Sequence, residues 1–208
     1  MNQANDASII SLSEAIIILE VTLSVAMKNG PILITSFCPW RVHQRSNSSD
    51  DLIAALYERG RLPADAIWLR QVPVSFALAP IYVTNEIARM RPLLLICCGM
   101  AEKRPYLSIE RQAKAPLQTL QTPANVSALL AGTLLSDISD DAGSYVCNHL
   151  YYSVLKFIND ARWETVSLFI HVPVLSCENK GLVLNDFVHI VSKLAAFREN
   201  EDAIISLR

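Results

Sequence analysis

The stretch from residue 134 to residue 158 constrains the fold more than any other part of the chain. Its first part is apolar at Leu134, Leu135 and Ile138, which predicts a short buried strand. Its last part repeats apolar residues every four positions, which predicts a helix with one buried face: Val146, Leu150, Val154 and Ile158. A strand must therefore turn into a helix between these two parts.

The turn itself contains residues that favour an abrupt helix start. Asp140, Asp141 and Ser144 are helix-capping types, and Gly143 allows a sharp reversal of the backbone. We therefore expect Cys147 in the first turn of the helix.

A cysteine at this position has two interpretations. Unpaired N–H groups at a helix start can lower a thiol pKa from about 8.5 into the range of about 3.5 to 7.5, which favours a nucleophilic thiolate. A free cysteine on a helix can also simply be a buried structural residue. Partner residues elsewhere in the chain decide between the two.

Two such partners follow other apolar runs. His171 lies at the carboxyl end of the apolar run 166–173, which ends in Pro173, and Glu110 lies at the end of the polar loop that follows the run 93–99. In open α/β sheets, ligands bind beyond the carboxyl ends of the strands, so we expect Cys147, His171 and Glu110 in one crevice. A thiol, a base and an acceptor that orients the base are the parts of a nucleophilic triad.

Several shorter patterns predict the remaining elements. We expect a first strand at 32–37, a helix capped by Ser48, Ser49 and Asp50, and a second strand at 66–74. We also expect a loop at 116–123 and a short helix at 125–132. His149 lies two residues after Cys147, on another helix face, and is interpreted as structural.

Composition narrows the class of protein. A chain of 208 residues with 51% apolar residues is long enough for one α/β domain with its own core. Its net charge of −2 gives no reason to expect a nucleic-acid partner. The cysteines are odd in number, five, and two of them are adjacent, which argues against a disulfide framework and favours a cytoplasmic protein. The cysteines and histidines are not spaced as metal ligands are, so we expect no metal site.

The first 26 residues form an apolar extension. Glu14 and Glu20 interrupt the apolar stretch 7–26, so we expect no membrane span, and the stretch lacks the charged start and cleavage site of a signal peptide. Two interpretations remain: a helix that packs on the domain or a partner, or upstream sequence added by the choice of start, since Met27 leads directly into the first strand.

Three segments resemble the pyroglutamyl peptidases, cysteine peptidase family C15. The segment 138–148 is similar to the nucleophile motif of that family, and 169–173 is similar to its histidine motif, with the same separation of 24 positions between Cys147 and His171. The segment 107–111, with Gly99, Ala101 and Arg104 before it, resembles the glutamate motif. Weaker similarity at 32–39 and 72–76 extends the resemblance over about 27–197.

The resemblance implies a fold and an activity. It implies a single three-layer α/β/α domain over 27–208 with an open, mostly parallel twisted sheet. It also implies an exopeptidase that removes N-terminal pyroglutamyl residues from peptides and needs no cofactor. Because family members often assemble as tetramers, the resemblance further implies a homo-oligomer, either a dimer or a tetramer.

The resemblance also implies roles for individual residues. Cys147 would be the nucleophile, His171 the base and Glu110 the residue that orients it. Phe37 and Trp40 would stack on the lactam ring, although both could instead pack in the core. Arg104 would bind the substrate or steady the thiolate, although it could instead be an exposed side chain.

The chain departs from the family pattern near the substrate. Arg41 and Val42 stand where the family has glycines, Lys103 replaces another glycine, and the segment between Glu110 and Cys147 is short. A glycine backbone could approach the lactam ring of the substrate closely, and we expect these side chains to occupy that space. Turnover of pyroglutamyl amides should therefore be weak. The alternatives are an inactive member of the fold with a binding role and a hydrolase of another amide.

Overall fold

The computed structural model describes Ser11 and residues 30–199. Except for Ser11, the predicted extension 1–26 lies outside these residues, and so does its boundary with the domain. None of the helices in the described part is both long and apolar enough to cross a membrane.

Eight strands and five helices make up the described part of the chain. The strands are β1 (Ile32–Phe37), β2 (Ala66–Val72), β3 (Leu94–Met100), β4 (Leu107–Glu110), β5 (Gln112–Ala115), β6 (Gln118–Gln121), β7 (Ser136–Ser139) and β8 (Val166–Val172). The helices are α1 (Ser48–Glu58), α2 (Leu78–Met90), α3 (Val126–Leu130), α4 (Val146–Asp160) and α5 (Lys180–Glu199).

Six of these strands form one sheet in the order β2-β1-β3-β8-β4-β7. Four of the five neighbouring pairs are parallel, and only β4 and β8 run antiparallel. The mostly parallel sheet expected from the resemblance is thereby confirmed.

The alternation of side chains along the strands creates two cores. On β1, Ile32 and Ile34 pack on one face of the sheet with α1, α3 and α5, while Leu33 and Phe37 pack on the other face with α2 and α4. Strand β8 divides in the same way, with Ile170 on the first face and Phe169 on the second. The expected arrangement of three layers is confirmed.

The segment after β3 differs from the prediction. Residues 107–110 form a buried strand rather than the end of a polar loop, and β5 and β6 form an antiparallel hairpin across most of the loop predicted at 116–123. Both predictions were wrong because runs of four residues stand at the lower limit at which alternation identifies a strand. The hairpin is held to α4 by Asn148, whose side chain exchanges two hydrogen bonds with the backbone of Lys114 (2.8 and 2.9 Å).

Two helix starts also differ. Asn47, rather than Ser48, Ser49 or Asp50, caps α1 by accepting a hydrogen bond from the Ser49 N–H. Helix α4 begins after Tyr145, whose side chain makes no capping hydrogen bond. The capping types upstream of α4 serve the loop instead, since the Asp141 carboxylate accepts from the Gly143 N–H.

Asp186 on α5 anchors the strand that leads to the cysteine. Its buried carboxylate accepts hydrogen bonds from the N–H groups of Leu134 and Leu135 and from the Ser136 hydroxyl, at 2.6 to 2.9 Å. Charged acceptors make strong hydrogen bonds. The start of β7, and with it the path into the turn before Cys147, is therefore fixed on α5.

Candidate active site

Cys147 lies in the first turn of α4, as predicted, and is partly buried. Gly99 on β3 makes room for it, because a Cβ atom at Gly99 would lie 2.9 Å from the Cys147 Sγ and equally close to the ring of Phe169. Such a contact is too short for carbon and sulfur atoms. The sulfur therefore occupies the space that the missing side chain of Gly99 leaves.

The turn before Cys147 needs its glycine for a different reason. Gly143 has φ +81°, in the left-handed region, while a Cβ atom there would meet no other atom. Backbone conformation rather than space selects glycine at this position. The reversal leaves the first N–H groups of α4 without helical acceptors, beside the thiol.

His171 and Glu110 form a buried pair on the same face of the sheet as Cys147. The register pairs His171 with Gly99 on one side and with Ser108 on the other. Glu110 lies diagonally across the antiparallel pair, and its Oε1 is 2.6 Å from His171 Nδ1. A carboxylate can only accept, so Nδ1 carries the proton and Nε2 is left as the base.

The way in which Glu110 reaches His171 was not expected. His171 was expected at the carboxyl end of a strand and Glu110 at the end of a loop that follows another strand, but Glu110 lies on β4, which runs antiparallel to β8. The contact arises because residues two positions apart on antiparallel neighbours lie on one face within reach of long side chains.

Arg104 ties this pair to the loop before Cys147. Its Nη1 donates to Glu110 Oε1 (2.6 Å), and its Nη2 donates to the backbone carbonyl of Asp141 (2.8 Å) and to the Ser139 hydroxyl (3.2 Å). Both terminal nitrogens are thus engaged within the protein. In this structure Arg104 positions Glu110 and the loop, and its predicted contact with substrate stays a prediction.

Glu110 is fully buried but remains ionised. Burial alone would raise the pKa of its carboxyl, but the hydrogen bond and charge of His171, together with the charge of Arg104, lower this pKa below its ordinary value. A permanent negative charge next to Nδ1 stabilises the imidazolium that forms when Nε2 takes up a proton.

The thiol of Cys147 differs from the expectation. Burial raises its pKa to about 12, and the charge of Glu110 adds to the effect, while the backbone N–H at the helix start and Arg104 act weakly in the opposite direction. The expected lowering of the pKa was wrong because desolvation of the thiol and the charge of Glu110 outweigh the effect of the helix start. The raised pKa favours the neutral thiol of Cys147 at pH 7, and attack by such a thiol requires a base.

A cavity of about 610 Å³ connects these residues, and Cys147, His171 and Arg104 all line it. Phe37 and Trp40 line it as well. Phe37 belongs at the same time to the core on the α2 and α4 face. Both interpretations given for Phe37, cavity wall and core residue, apply to it.

Trp40 is half-exposed at the rim rather than packed in the core. Its ring contacts Tyr145, with centroids 4.9 Å apart, and the Arg41 guanidinium lies 4.3 Å from the ring centroid. Neighbours thus already cover part of the ring that was expected to stack on a lactam.

Arg41 and Val42 have different environments. Arg41 pairs with Glu102 across the rim (Nη1 to Oε2, 3.1 Å), whereas Val42 is fully exposed. Gln44 donates to Glu102 Oε1 (2.7 Å) and accepts from the N–H groups of Trp40 and Arg41. The loop is therefore held by Gln44 as well as by Arg41.

Sequence reasoning missed the roles of three residues at this site. Gly99 was noted only as part of a motif, and Tyr145 and Glu102 were not singled out. The strand pattern could have identified Gly99, because it lies two residues after Cys97 on the inward face of a buried strand. No pattern indicates Glu102, whose partners lie 58 and 61 positions away.

In the described part of the chain, no group of three or more histidine, cysteine or acidic side chains is arranged to hold a metal ion. Instead, an α/β sheet carries a cysteine at a helix start and a histidine oriented by a buried carboxylate. This arrangement defines a candidate cysteine hydrolase.

Comparisons with known proteins agree with this class. The family model described as pyroglutamyl peptidase matches residues 114–181. Among curated proteins, the pyrrolidone-carboxylate peptidase of Thermococcus onnurineus is 29% identical over 170 residues, which cover 69% of this chain and 84% of that protein. The corresponding protein of Gloeobacter violaceus is 28% identical, with coverage of 69% and 82%.

Solved structures show the same fold. Pyroglutamyl peptidase I of Bacillus amyloliquefaciens matches with a TM-score of 0.71 at 19% identity, covering 82% of this chain and 98% of that one. The pyrrolidone carboxyl peptidase of Thermococcus litoralis matches with a TM-score of 0.65 at 21% identity, with coverage of 83% and 97%. Together with the sequence relatives, these findings support the resemblance of this chain to the pyroglutamyl peptidases.

The raised pKa of Cys147 leads to a prediction about alkylation. Only the thiolate reacts with iodoacetamide, so modification of Cys147 should speed up about tenfold per pH unit and keep rising up to pH 10. The rate is measured by peptide mass spectrometry between pH 6 and pH 10, with exposed Cys177 in the same digest as the reference. A rate for Cys147 that is flat above pH 8 would mean a preformed thiolate.

The different environments of Arg41 and Val42 lead to a second prediction. Arg41→Gly should lower the Michaelis constant for a pyroglutamyl amide a few-fold, because it uncovers the Trp40 ring while Gln44 still holds the loop. Surface ion pairs and exposed cation–π contacts each contribute only about 0.5–1 kcal/mol, so the loop should keep its shape. Val42→Gly is the matched control and should change nothing. Equal effects of both variants on the Michaelis constant would contradict this account.

Proposed function

We propose that this chain is a cysteine exopeptidase that removes N-terminal pyroglutamyl residues from peptides. One observation carries the proposal: the Sγ of Cys147 sits over Gly99, the register partner of His171, in a cavity that both reactive residues line. The names of the relatives supply the substrate class.

The reaction begins with proton transfer from the thiol. His171 Nε2 takes the proton of Cys147 as Sγ attacks the pyroglutamyl carbonyl carbon, and the fixed charge of Glu110 stabilises the resulting imidazolium. The free N–H groups at the start of α4 are suited to bind the oxyanion. This order of steps does not require a thiolate before the substrate binds, which agrees with the raised pKa of the Cys147 thiol.

The second half of the reaction returns the proton. The imidazolium of His171 protonates the leaving amine as the C–N bond breaks, which leaves a thioester between Cys147 and the pyroglutamyl group. His171 then removes a proton from water, which attacks the thioester carbonyl, and the released thiolate regains its proton from His171.

The charges at the cavity support a substrate without a free amine. A pyroglutamyl residue is a neutral lactam, whereas an ordinary N-terminal ammonium group requires a negative partner. Among the described lining residues the acidic side chain is Glu102, which Arg41 and Gln44 already engage. Phe37 and Trp40 offer apolar surface for the lactam ring instead.

The proposal includes the setting of the enzyme. All five cysteines are free thiols, which supports a reducing compartment such as the cytoplasm. A homo-oligomer, dimer or tetramer, and catalysis without a metal or cofactor belong to the proposal on the basis of the family resemblance.

The direct test compares chromogenic amides of pyroglutamate, proline and alanine with the purified protein. We expect release from the pyroglutamyl amide alone. Release from the proline or alanine amide instead would make the chain a hydrolase of another amide, and release from none of the three would contradict the proposal.

Variants assign the activity to the named residues. Cys147→Ser should abolish release, because a serine hydroxyl is a much weaker nucleophile in this environment, and His171→Ala should lower turnover by about 10² to 10⁴-fold. Circular dichroism of both variants serves as the control for folding. Undiminished turnover by Cys147→Ser would remove this residue from the mechanism.

A further inference from the structure

Four rings form a continuous row that starts at the cavity and runs out over the surface. The ring centroids of Trp40 and Tyr145 are 4.9 Å apart, those of Tyr145 and Phe76 5.5 Å, and those of Phe76 and His149 5.4 Å. We refer to these four side chains as the aromatic row.

Three large aromatic side chains of the row are open to solvent. Trp40, Tyr145 and Phe76 expose 41%, 45% and 48% of their surface. Contiguous exposed aromatic side chains mark binding surfaces more often than single exposed apolar residues do.

The position of the row relates it to the reacting bond. Trp40 and Tyr145 line the cavity that Cys147 and His171 also line, and His149 lies one helical turn after Tyr145 on α4. Phe76 and His149 do not line the cavity, so the outer half of the row continues beyond the place where the pyroglutamyl group would sit. The peptide that follows the pyroglutamyl group must leave the cavity by its mouth, and the row is continuous with the cavity through Trp40 and Tyr145.

The chemistry of the row selects what it would bind. The rings offer stacking and edge-to-face contacts, and aromatic pairs attract beyond the effect of buried area alone. An aromatic side chain on the residue after pyroglutamate can make such contacts with Phe76, whereas a methyl group offers no ring to pair.

We propose that Phe76 and His149 form a subsite for the residue that follows pyroglutamate, and that this subsite prefers an aromatic side chain. The inference rests on the proposed function and adds a preference on the leaving side of the scissile bond. The expected preference in kcat/KM is about 3- to 10-fold, the range that one aromatic pair supports.

The test compares pyroglutamyl-phenylalanine amide with pyroglutamyl-alanine amide, with release of the amino-acid amide followed by chromatography. The natural sequence should hydrolyse the phenylalanine substrate about 3- to 10-fold more efficiently. Phe76→Ala should bring the ratio close to one, while Phe76→Leu should leave part of it. Tyr82→Ala is the matched control, since Tyr82 on α2 is 48% exposed and lies outside the row, and it should leave the ratio unchanged.

The outcomes separate the two proposals. Hydrolysis of both substrates with a ratio near one in the natural sequence would overturn the subsite and leave the proposed function standing. If neither substrate is hydrolysed, both the subsite and the proposed function are overturned. A Phe76→Ala variant that changes the oligomeric state in sedimentation but keeps the substrate ratio would assign the row to a contact between copies of the chain and overturn the subsite.

Discussion

The buried carboxylate of Glu110 is the constraint on which the active site depends. A charge without access to water is costly unless it is paired and hydrogen-bonded, and here His171 and Arg104 both donate to the same oxygen. His171 lies on β8, so its hydrogen bond ties Glu110 to that strand. Arg104 lies in the loop between β3 and β4 and also donates to the loop before α4, so it ties Glu110 to both loops. One charge thus fixes the relative positions of the base and of the segment that carries the nucleophile.

Part of this arrangement can be predicted from the sequence, because some of its signals are local. The strand at 32–37 and the helix that begins near Cys147 have strong apolar patterns, and both are confirmed. The direction of β4 could not be predicted, because the alternation of Leu107, Ser108, Ile109 and Glu110 spans only four residues and does not indicate which way a strand runs. The same limit explains the missed hairpin of β5 and β6.

The roles of individual residues depend on contacts that lie far apart in sequence. The position of Cys147 at a helix start was predictable, but its raised pKa follows from burial and from Glu110, which is 37 positions away. In the same way, the family resemblance implies that Arg41 and Val42 stand in place of glycines. Only the structure separates them, because Arg41 contacts Trp40 and Glu102 while Val42 faces solvent.

The central claim is that Cys147 forms a covalent bond with the pyroglutamyl group. The most direct measurement is mass spectrometry of the protein after rapid acid quenching during turnover of a pyroglutamyl substrate, followed by peptide mapping. The account predicts an added mass of one pyroglutamyl group on the peptide that contains Cys147, and its absence in Cys147→Ser. An adduct on another residue, such as the exposed Cys177, or turnover that continues in Cys147→Ser, would contradict it.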